Sequence, residues 1–184
     1  MLFNTLSYIA KKFNDENLTW AVGASVLLNQ YSLVKSPNDI DILVALKDVE
    51  KADSILKSIG NKNISEKSST YLTKYFYEYN INGIDIDLMS GLIINFENEN
   101  YEYLFNKDCI KNYSTINDTK IPLTSLEDWY ILYQLIPNRD KKVALIEHYL
   151  VENNIKISLS EIPLSKEIPS KIKLKSKDIL IEID

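Results

Sequence analysis

The hydrophobic and polar positions of this chain follow helical spacing in some segments and strand spacing in others. Apolar residues recur every three to four positions in three N-terminal segments, which predicts amphipathic helices. Short runs rich in β-branched and aromatic residues lie between them and predict strands. The fold class predicted is therefore α/β (α+β). The predicted helices span 2–13, 24–31 and 49–59, and the predicted strands span 18–22, 39–46 and 84–89.

The second half of the chain has a different pattern. Ser125 precedes an apolar stripe and is a candidate N-cap for a helix that Pro137 ends, and a further helix follows. Lys171–Lys175 alternates lysine with apolar residues, as a strand would. The chain is thus predicted to divide into a sheet-containing part, 1–95, and a helical C-terminal region, 96–184, with a Lys-rich extended tail.

Two Asp-x-Asp motifs carry the candidate chemistry. Asp39 and Asp41 lie in one apolar run, and Asp85 and Asp87 lie in another. Alternate residues of a strand share a face, so each motif places both carboxylates on one side of the sheet. Carboxylates are rarely buried unless they are paired or bound to a metal. The pattern therefore indicates a divalent-metal site.

The dipeptide Asn82-Gly83 predicts the neighbours of the second motif. It is typical of a two-residue type I′ hairpin turn between the segment 71–80 and the strand that carries the motif. In that register Glu78 lies opposite Asp87, and Asn80 lies opposite Asp85. A bound cation would relieve the repulsion between Glu78 and Asp87.

Composition and charge narrow the class of protein. The chain has 184 residues, a net charge of −5 and a pI near 5.0, which argues against a general nucleic-acid-binding protein. Its single cysteine, Cys109, cannot form an internal disulfide, and this suits a reducing cytoplasm. No apolar run reaches the roughly 20 residues that a membrane-spanning helix needs. We therefore expect a cytoplasmic protein without membrane association, for which nucleic acid is not an expected partner.

Several other residues have an unremarkable interpretation. Trp129 lies at helical spacing with apolar neighbours and is interpreted as a core residue. Arg139, Lys141 and Lys142 are interpreted as a solvated basic helix start, and phosphate contact is the second interpretation. His148 is interpreted as a surface residue.

The order of the motifs resembles that of the nucleotidyltransferase superfamily with the polymerase-beta-like palm. A strand ends at Gly23-Ala24-Ser25, a helix follows, and after thirteen intervening residues (26–38) comes the Asp-x-Asp motif of a second strand. The resemblance covers roughly residues 18 to 90. It is nearest to the small bacterial stand-alone members, the antibiotic and toxin–antitoxin nucleotidyltransferases. It implies a mixed-sheet palm with flanking helices and a helical C-terminal part.

This resemblance implies roles for individual residues. Asp39, Asp41 and Asp87 would be the catalytic and metal-binding carboxylates, with Asp85 in reserve for Asp87, and the metal would be Mg²⁺ or Mn²⁺. Gly23, Ala24 and Ser25 would bind the nucleotide, an NTP. The chain departs from the family pattern at Ala24, where Ser or a second Gly is expected. Backbone amides are then the implied phosphate ligands.

The function implied is metal-dependent transfer of an NMP from an NTP to the hydroxyl of a small molecule or a protein. A protein partner is also considered. The alternative is a catalytically degenerate nucleotidyltransferase fold that serves as a binding or antitoxin-like module. A glycosyltransferase with an Asp-x-Asp metal site also stays open. The sequence does not specify the acceptor, the NTP or the oligomeric state.

Overall fold

A seven-stranded mixed sheet organises the computed structural model of this protein, which describes residues 1–64, 69–176 and 179–181. The strand order is β3-β4-β5-β2-β1-β9-β8. The helices are α1 Leu2–Asp15, α2 Ala24–Gln30, α3 Val49–Ile59, α4 Leu126–Leu135, α5 Asp140–Glu152 and α6 Ser170–Lys175. The strands of the large sheet are β1 Trp20–Val22, β2 Asp39–Val44, β3 Asn61–Lys62, β4 Tyr75–Ile81, β5 Ile84–Ser90, β8 Asn112–Ile116 and β9 Thr119–Leu123. Two small two-stranded sheets pair β6 Ile93–Phe96 with β7 Glu99–Glu102, and β10 Ile157–Ser158 with β11 Leu180–Ile181.

The centre of the sheet confirms the predicted α/β class. Strand β2 pairs with β5 in parallel and with β1 in antiparallel orientation, so the sheet is mixed. Asn82 and Gly83 have φ angles of 54° and 76°, as a type I′ turn requires. The predicted register is also confirmed, because Glu78 pairs with Asp87 and Asn80 pairs with Asp85.

Strand β2 separates an apolar face of the sheet from a polar one. Ile40 and Ile42 are fully buried, whereas Asp39 and Asp41, which alternate with them along the strand, are partly exposed. Helices α1 and α3 contact each other, and α1 also contacts β2 and β9. The alternation that β2 shows in the sequence therefore corresponds to a core face and a face that is open to ligands.

The prediction of a helical region from residue 96 onward is wrong for residues 112–123. Strands β8 and β9 form a hairpin there and extend the sheet beside β1. Asn117 and Asp118 form its turn, with φ angles of 47° and 59°. Strand β8 lies at the sheet edge and is mostly exposed, so it lacks the apolar pattern that marks a buried strand. The division of the chain into two domains at residue 95 stays a prediction.

The predicted extended tail is likewise wrong at 171–175. This segment is part of helix α6, which begins after Pro169, whose carbonyl accepts hydrogen bonds from the amides of Ile172 and Lys173. Ile172 and Ser176 are buried and lie four residues apart, which is one helical turn. A five-residue alternation fits a single helical turn as well as a strand, and the proline before it favours a helix start. No helix in the described part of the chain is long and apolar enough to cross a membrane.

Candidate active site

The parallel pairing of β2 and β5 brings the two Asp-x-Asp motifs side by side. Asp39 pairs with Asp85 in the backbone register, and Asp41 pairs with Asp87. Because paired residues of neighbouring strands point to the same side of a sheet, the four carboxylates share one face. Glu78 joins them from β4, opposite Asp87.

A cavity of about 620 Å³ lies against this face. Asp39, Asp41 and Asp87 line it, and Asp85 is not among its lining residues. Asp85 is exposed and accepts a hydrogen bond from the Asn80 side-chain amide at 2.8 Å. The geometry thus separates the two acids of the second motif and places Asp87 with the first pair.

The turn Gly23-Ala24-Ser25, called the glycine turn below, is hydrogen-bonded directly to the first Asp-x-Asp motif. The Gly23 amide donates to the Asp41 carbonyl at 3.1 Å. The Ser25 hydroxyl donates to the Asp39 carboxylate at 3.1 Å, and it lies 3.4 Å from the Asp39 carbonyl. Of the three residues predicted to bind nucleotide, Ala24 lines the cavity, whereas Gly23 and Ser25 are not among its lining residues. The turn is therefore fixed to the strand that carries the acids.

Two steric features explain the residues of this turn. A Cβ atom on Gly23 would lie 2.3 Å from Trp129 Cζ2, so only glycine leaves room for the indole. The indole is also held by a hydrogen bond, which its Nε1 donates to Thr124 Oγ1 at 2.8 Å. Ala24 has a φ of 44°, a left-handed conformation that favours glycine. Position 24 is where the chain departs from the Gly-Gly or Gly-Ser pattern. Its backbone nevertheless has the left-handed conformation that a glycine at this position would favour.

The carboxylates of the cavity repel one another. Burial, followed by the charges of Asp39 and Asp87, raises the pKa of Asp41 to about 7. Burial, followed by Asp39 and Glu78, raises the pKa of Asp87 to about 6. In the metal-free protein these acids therefore carry an electrostatic penalty that a bound cation would remove.

Two basic residues at the start of helix α5 face these acids, contrary to the interpretation of this segment as solvated. Arg139 and Lys142 line the cavity, and their charges oppose the rise in the pKa of Asp41. Lys142 Nζ donates to the Tyr133 hydroxyl at 3.2 Å, and burial lowers the pKa of Lys142. The Arg139 Nε is buried and has no hydrogen-bond partner among the described residues. The spacing of three residues between Arg139 and Lys142, across the helix start, does not specify which neighbour they face, so no sequence signal placed them beside the acids.

Lys141 is exposed, as that interpretation expected. Trp129 is a core residue with 3% exposure, as expected, and it also forms part of the cavity lining.

Another side of the cavity is apolar and aromatic. We call it the aromatic wall and define it as Tyr71, Leu72, Tyr75, Phe76 and Met89. The segment before β4 lies along β6, since the amides of Leu72 and Lys74 donate to the carbonyls of Ile93 and Gly91. Leu72 is 44% exposed and Tyr75 is 41% exposed. The wall was not identified from the sequence.

The candidate site holds oxygen ligands but no preformed metal cage. Among the described residues, no group of three or more His, Cys, Asp or Glu side chains is arranged to hold a metal ion by itself. Besides its carboxylates, the candidate site contains two basic side chains at the start of helix α5, Arg139 and Lys142, and the aromatic wall. Such a combination can bind a polyanion and a second, less polar molecule together.

The fold and the site define a nucleotidyltransferase-type α/β protein, and comparison with known sequences identifies the family. The chain belongs to the family described as "Uncharacterised nucleotidyltransferase", whose model matches residues 1–135. No sequence among the curated proteins matches the chain.

Solved structures share the fold at low sequence identity. A candidate nucleotidyltransferase from Thermotoga maritima is 21% identical, with a TM-score of 0.62 over 81% of this chain and 92% of that one. The antibiotic-resistance factor ANT(2″)-Ia, in complex with adenylyl-2″-tobramycin, is 10% identical, with a TM-score of 0.56 over 83% of this chain and 91% of that one. The lincosamide antibiotic adenylyltransferase LnuA, bound to lincomycin, is 16% identical, with a TM-score of 0.53 over 78% of this chain and 95% of that one. These similarities establish the fold of the chain.

Proposed function

We propose that this protein transfers an NMP from an NTP to the hydroxyl group of an acceptor, a small molecule or a protein, with Mg²⁺ or Mn²⁺ as cofactor. The observation that carries this proposal is the convergence of Asp39, Asp41 and Asp87 in one cavity that Arg139 and Lys142 also line. Membership of a nucleotidyltransferase family supports transfer in general. The adenylylated tobramycin in one structural relative makes ATP the first NTP to test.

The donor chemistry of the site fits a divalent cation. Mg²⁺ binds hard oxygen ligands, and proteins usually hold it with one or two carboxylates and the phosphates of the substrate. Asp39 and Asp41 project from alternate positions of β2, and Asp87 lies beside Asp41 on β5. These three would hold the cofactor, which would neutralise phosphate charge during transfer. The raised pKa values of Asp41 and Asp87 agree with carboxylates for which burial and mutual repulsion outweigh the nearby cations.

The chain's own residues would bind and orient the triphosphate. Arg139 and Lys142 supply positive charge beside Asp41. The backbone at Ala24 reaches the cavity where β1 ends, next to the β2 acids. Nucleotidyl transfer depends mostly on positioning and charge neutralisation, so these contacts would do much of the catalytic work.

Asp87 would accept the proton of the attacking hydroxyl. The acceptor oxygen would form a bond to the α-phosphorus while the bond from that phosphorus to the bridging oxygen breaks. Pyrophosphate leaves with the electron pair, and the hydroxyl proton goes to the carboxylate.

The direct test is calorimetric titration of ATP into the protein with and without Mg²⁺, repeated with Asp41→Asn. We expect Mg²⁺ to strengthen ATP binding to the unaltered protein and to lose most of that effect in the variant. Asp85→Asn is the matched control, because Asp85 lies outside the cavity lining, and it should bind like the unaltered protein. Equal behaviour of all three proteins would contradict the proposed metal site.

The catalytically degenerate binding module has one structural observation in its favour, the engagement of the Ser25 hydroxyl by Asp39. A hydroxyl held in this way is less available to a phosphate. The two functions differ in one measurement, transfer of label from α-labelled ATP to components of a cell extract. Transfer that depends on Asp41 supports the enzyme, and its absence despite ATP binding supports the binding module.

A further inference from the structure

The order of the strands fixes the order in which the aromatic wall, the acids and the glycine turn lie along the cavity. The acids lie on β5 and β2, at the middle of the series β4-β5-β2-β1. The glycine turn follows β1, and its Gly23 amide is bonded to the Asp41 carbonyl on β2. The aromatic wall lies toward the opposite end of that series, since Phe76 on β4 pairs with Met89 on β5. The carboxylates therefore separate the glycine turn from the wall.

The basic residues among the described lining residues are Arg139, Lys142 and Lys74. Arg139 and Lys142 lie at the start of helix α5, and their charges act on Asp41. Lys74, the one that comes from the wall segment, is bound to Glu102 at 2.5 Å. Lys74 is therefore already paired and does not offer the wall a free positive charge.

In an in-line displacement the attacking oxygen and the leaving group lie on opposite sides of the phosphorus. With pyrophosphate at the glycine turn, the attacking hydroxyl comes from the side of Asp87 and the aromatic wall. The proposed proton acceptor and the wall are then adjacent. This arrangement assigns the wall to the acceptor.

The wall also restricts the chemistry of the acceptor. Asp39, Asp41 and Asp87 are the acids among the described lining residues, and all three are taken up by the proposed metal site. An ammonium group on the acceptor would therefore have no carboxylate left to pair with, and an unpaired buried charge is costly. Half-exposed Leu72 and Tyr75 offer apolar surface in its place.

Building on the proposed function, we propose that the aromatic wall is the acceptor subsite and that the acceptor is a hydroxyl compound with an apolar or aromatic face and no positive charge.

The experiment uses two probes of nearly equal shape, naphthylethanol and naphthylethylamine. The protein is first saturated with Mg²⁺ and an ATP analogue whose α–β bridging oxygen is replaced by methylene, which binds without reacting. Each probe is then titrated by saturation-transfer NMR. We expect the alcohol to bind about fivefold more tightly than the protonated amine, or about 1 kcal/mol.

Two leucines of similar exposure provide a matched pair of variants. Leu72→Ala removes part of the wall and should weaken binding of the alcohol about threefold, since it removes apolar contact surface. Leu145→Ala removes a 41%-exposed leucine outside the cavity lining and should leave binding unchanged. Leu72→Glu should shift the preference toward the amine.

Three results would overturn the proposal: equal or tighter binding of the amine, no effect of Leu72→Ala, or weaker binding of the alcohol to the analogue-saturated protein than to the protein without the analogue. The last result would assign the wall to the nucleobase. Failure of the proposed function gives a different result. In that case the analogue would not bind in the presence of Mg²⁺, and its binding is measured before any probe is added.

Discussion

Two acidic residues of this protein, Asp41 on β2 and Asp53 on α3, lie in opposite electrostatic surroundings. Asp53 accepts hydrogen bonds from Lys57, Lys62 and the Tyr79 hydroxyl. Burial opposes ionisation of Asp53, but these three donors outweigh it and lower its pKa to about 2. Burial and neighbouring carboxylates instead raise the pKa of Asp41 to about 7.

The difference shows which cluster is complete in the folded chain. The partners of Asp53 are all supplied by the protein, so this cluster contributes to stability. The Asp41 cluster has cations nearby but an excess of carboxylates, and it reaches electrical balance only with a ligand. Clusters of like charge in a cavity are typical of functional sites.

The largest expected effect comes from removing one lysine from each of the two clusters, Lys142 beside Asp41 and Lys62 beside Asp53. Lys142→Met should weaken binding of Mg²⁺-ATP about 10- to 100-fold, because a charge-assisted contact to phosphate is worth roughly 1.5–3 kcal/mol. Lys62→Met should leave ATP binding unchanged and lower the free energy of unfolding, since Lys62 Nζ lies 2.7 Å from Asp53. Calorimetric titration and chemical denaturation measure the two effects.

The control for this comparison is Lys141→Met, which removes an exposed lysine next to Lys142 in sequence. It should alter neither quantity. A comparable loss of ATP binding in the Lys141 and Lys142 variants would indicate a general charge effect in place of a phosphate contact.

Neutralising each acid should change stability with opposite sign. In the metal-free protein at pH 7, Asp41→Asn should raise the free energy of unfolding by about 2 kcal/mol, because it removes a carboxylate whose ionised form is disfavoured. Asp53→Asn should lower it by about 1 kcal/mol, because its lysine partners are partly screened by solvent. Urea denaturation of both variants measures these changes. A loss of stability in Asp41→Asn would show that this acid is structural.

The same contrast predicts pH dependence in the metal-free protein. Between its ordinary pKa of 3.8 and its folded value of about 7, Asp41 binds more protons in the folded state, so stability should fall as pH rises through this window. Asp53 has the opposite sign, and its contribution should be lost as pH falls from about 4 through 2. Asp128, whose pKa burial raises to about 6, contributes in the same direction as Asp41.

Denaturation curves at several pH values test this prediction. Asp41→Asn should reduce the slope between pH 4 and 7 without removing it, since Asp87 and Asp128 also titrate there. An unchanged slope in the variant would contradict the raised pKa of Asp41.

The acids and their register could be predicted from the sequence because they depend on short-range rules. Strand alternation places Asp39 and Asp41 on one face, and the Asn82-Gly83 turn fixes the pairing of Glu78 with Asp87. The position of Arg139 depends on how helix α5 packs against helix α4, and no local pattern specifies that. The hairpin turn at Asn117-Asp118 was a local signal, but it joins an exposed edge strand with weak apolar alternation.

The smallest expected effect concerns the hydroxyl that joins the glycine turn to the first motif. Ser25 donates to the Asp39 carboxylate in the structure, so Ser25→Ala should disturb the orientation of this proposed metal ligand. We expect ATP affinity in the presence of Mg²⁺ to fall about 3- to 10-fold, which corresponds to about 1 kcal/mol of binding free energy. ATP affinity without Mg²⁺ should change little. A phosphate-binding hydroxyl would instead lower affinity in both conditions. Ser25→Thr keeps the hydroxyl and should restore most of the binding, which distinguishes a positioning role from a packing role that any small side chain could fill.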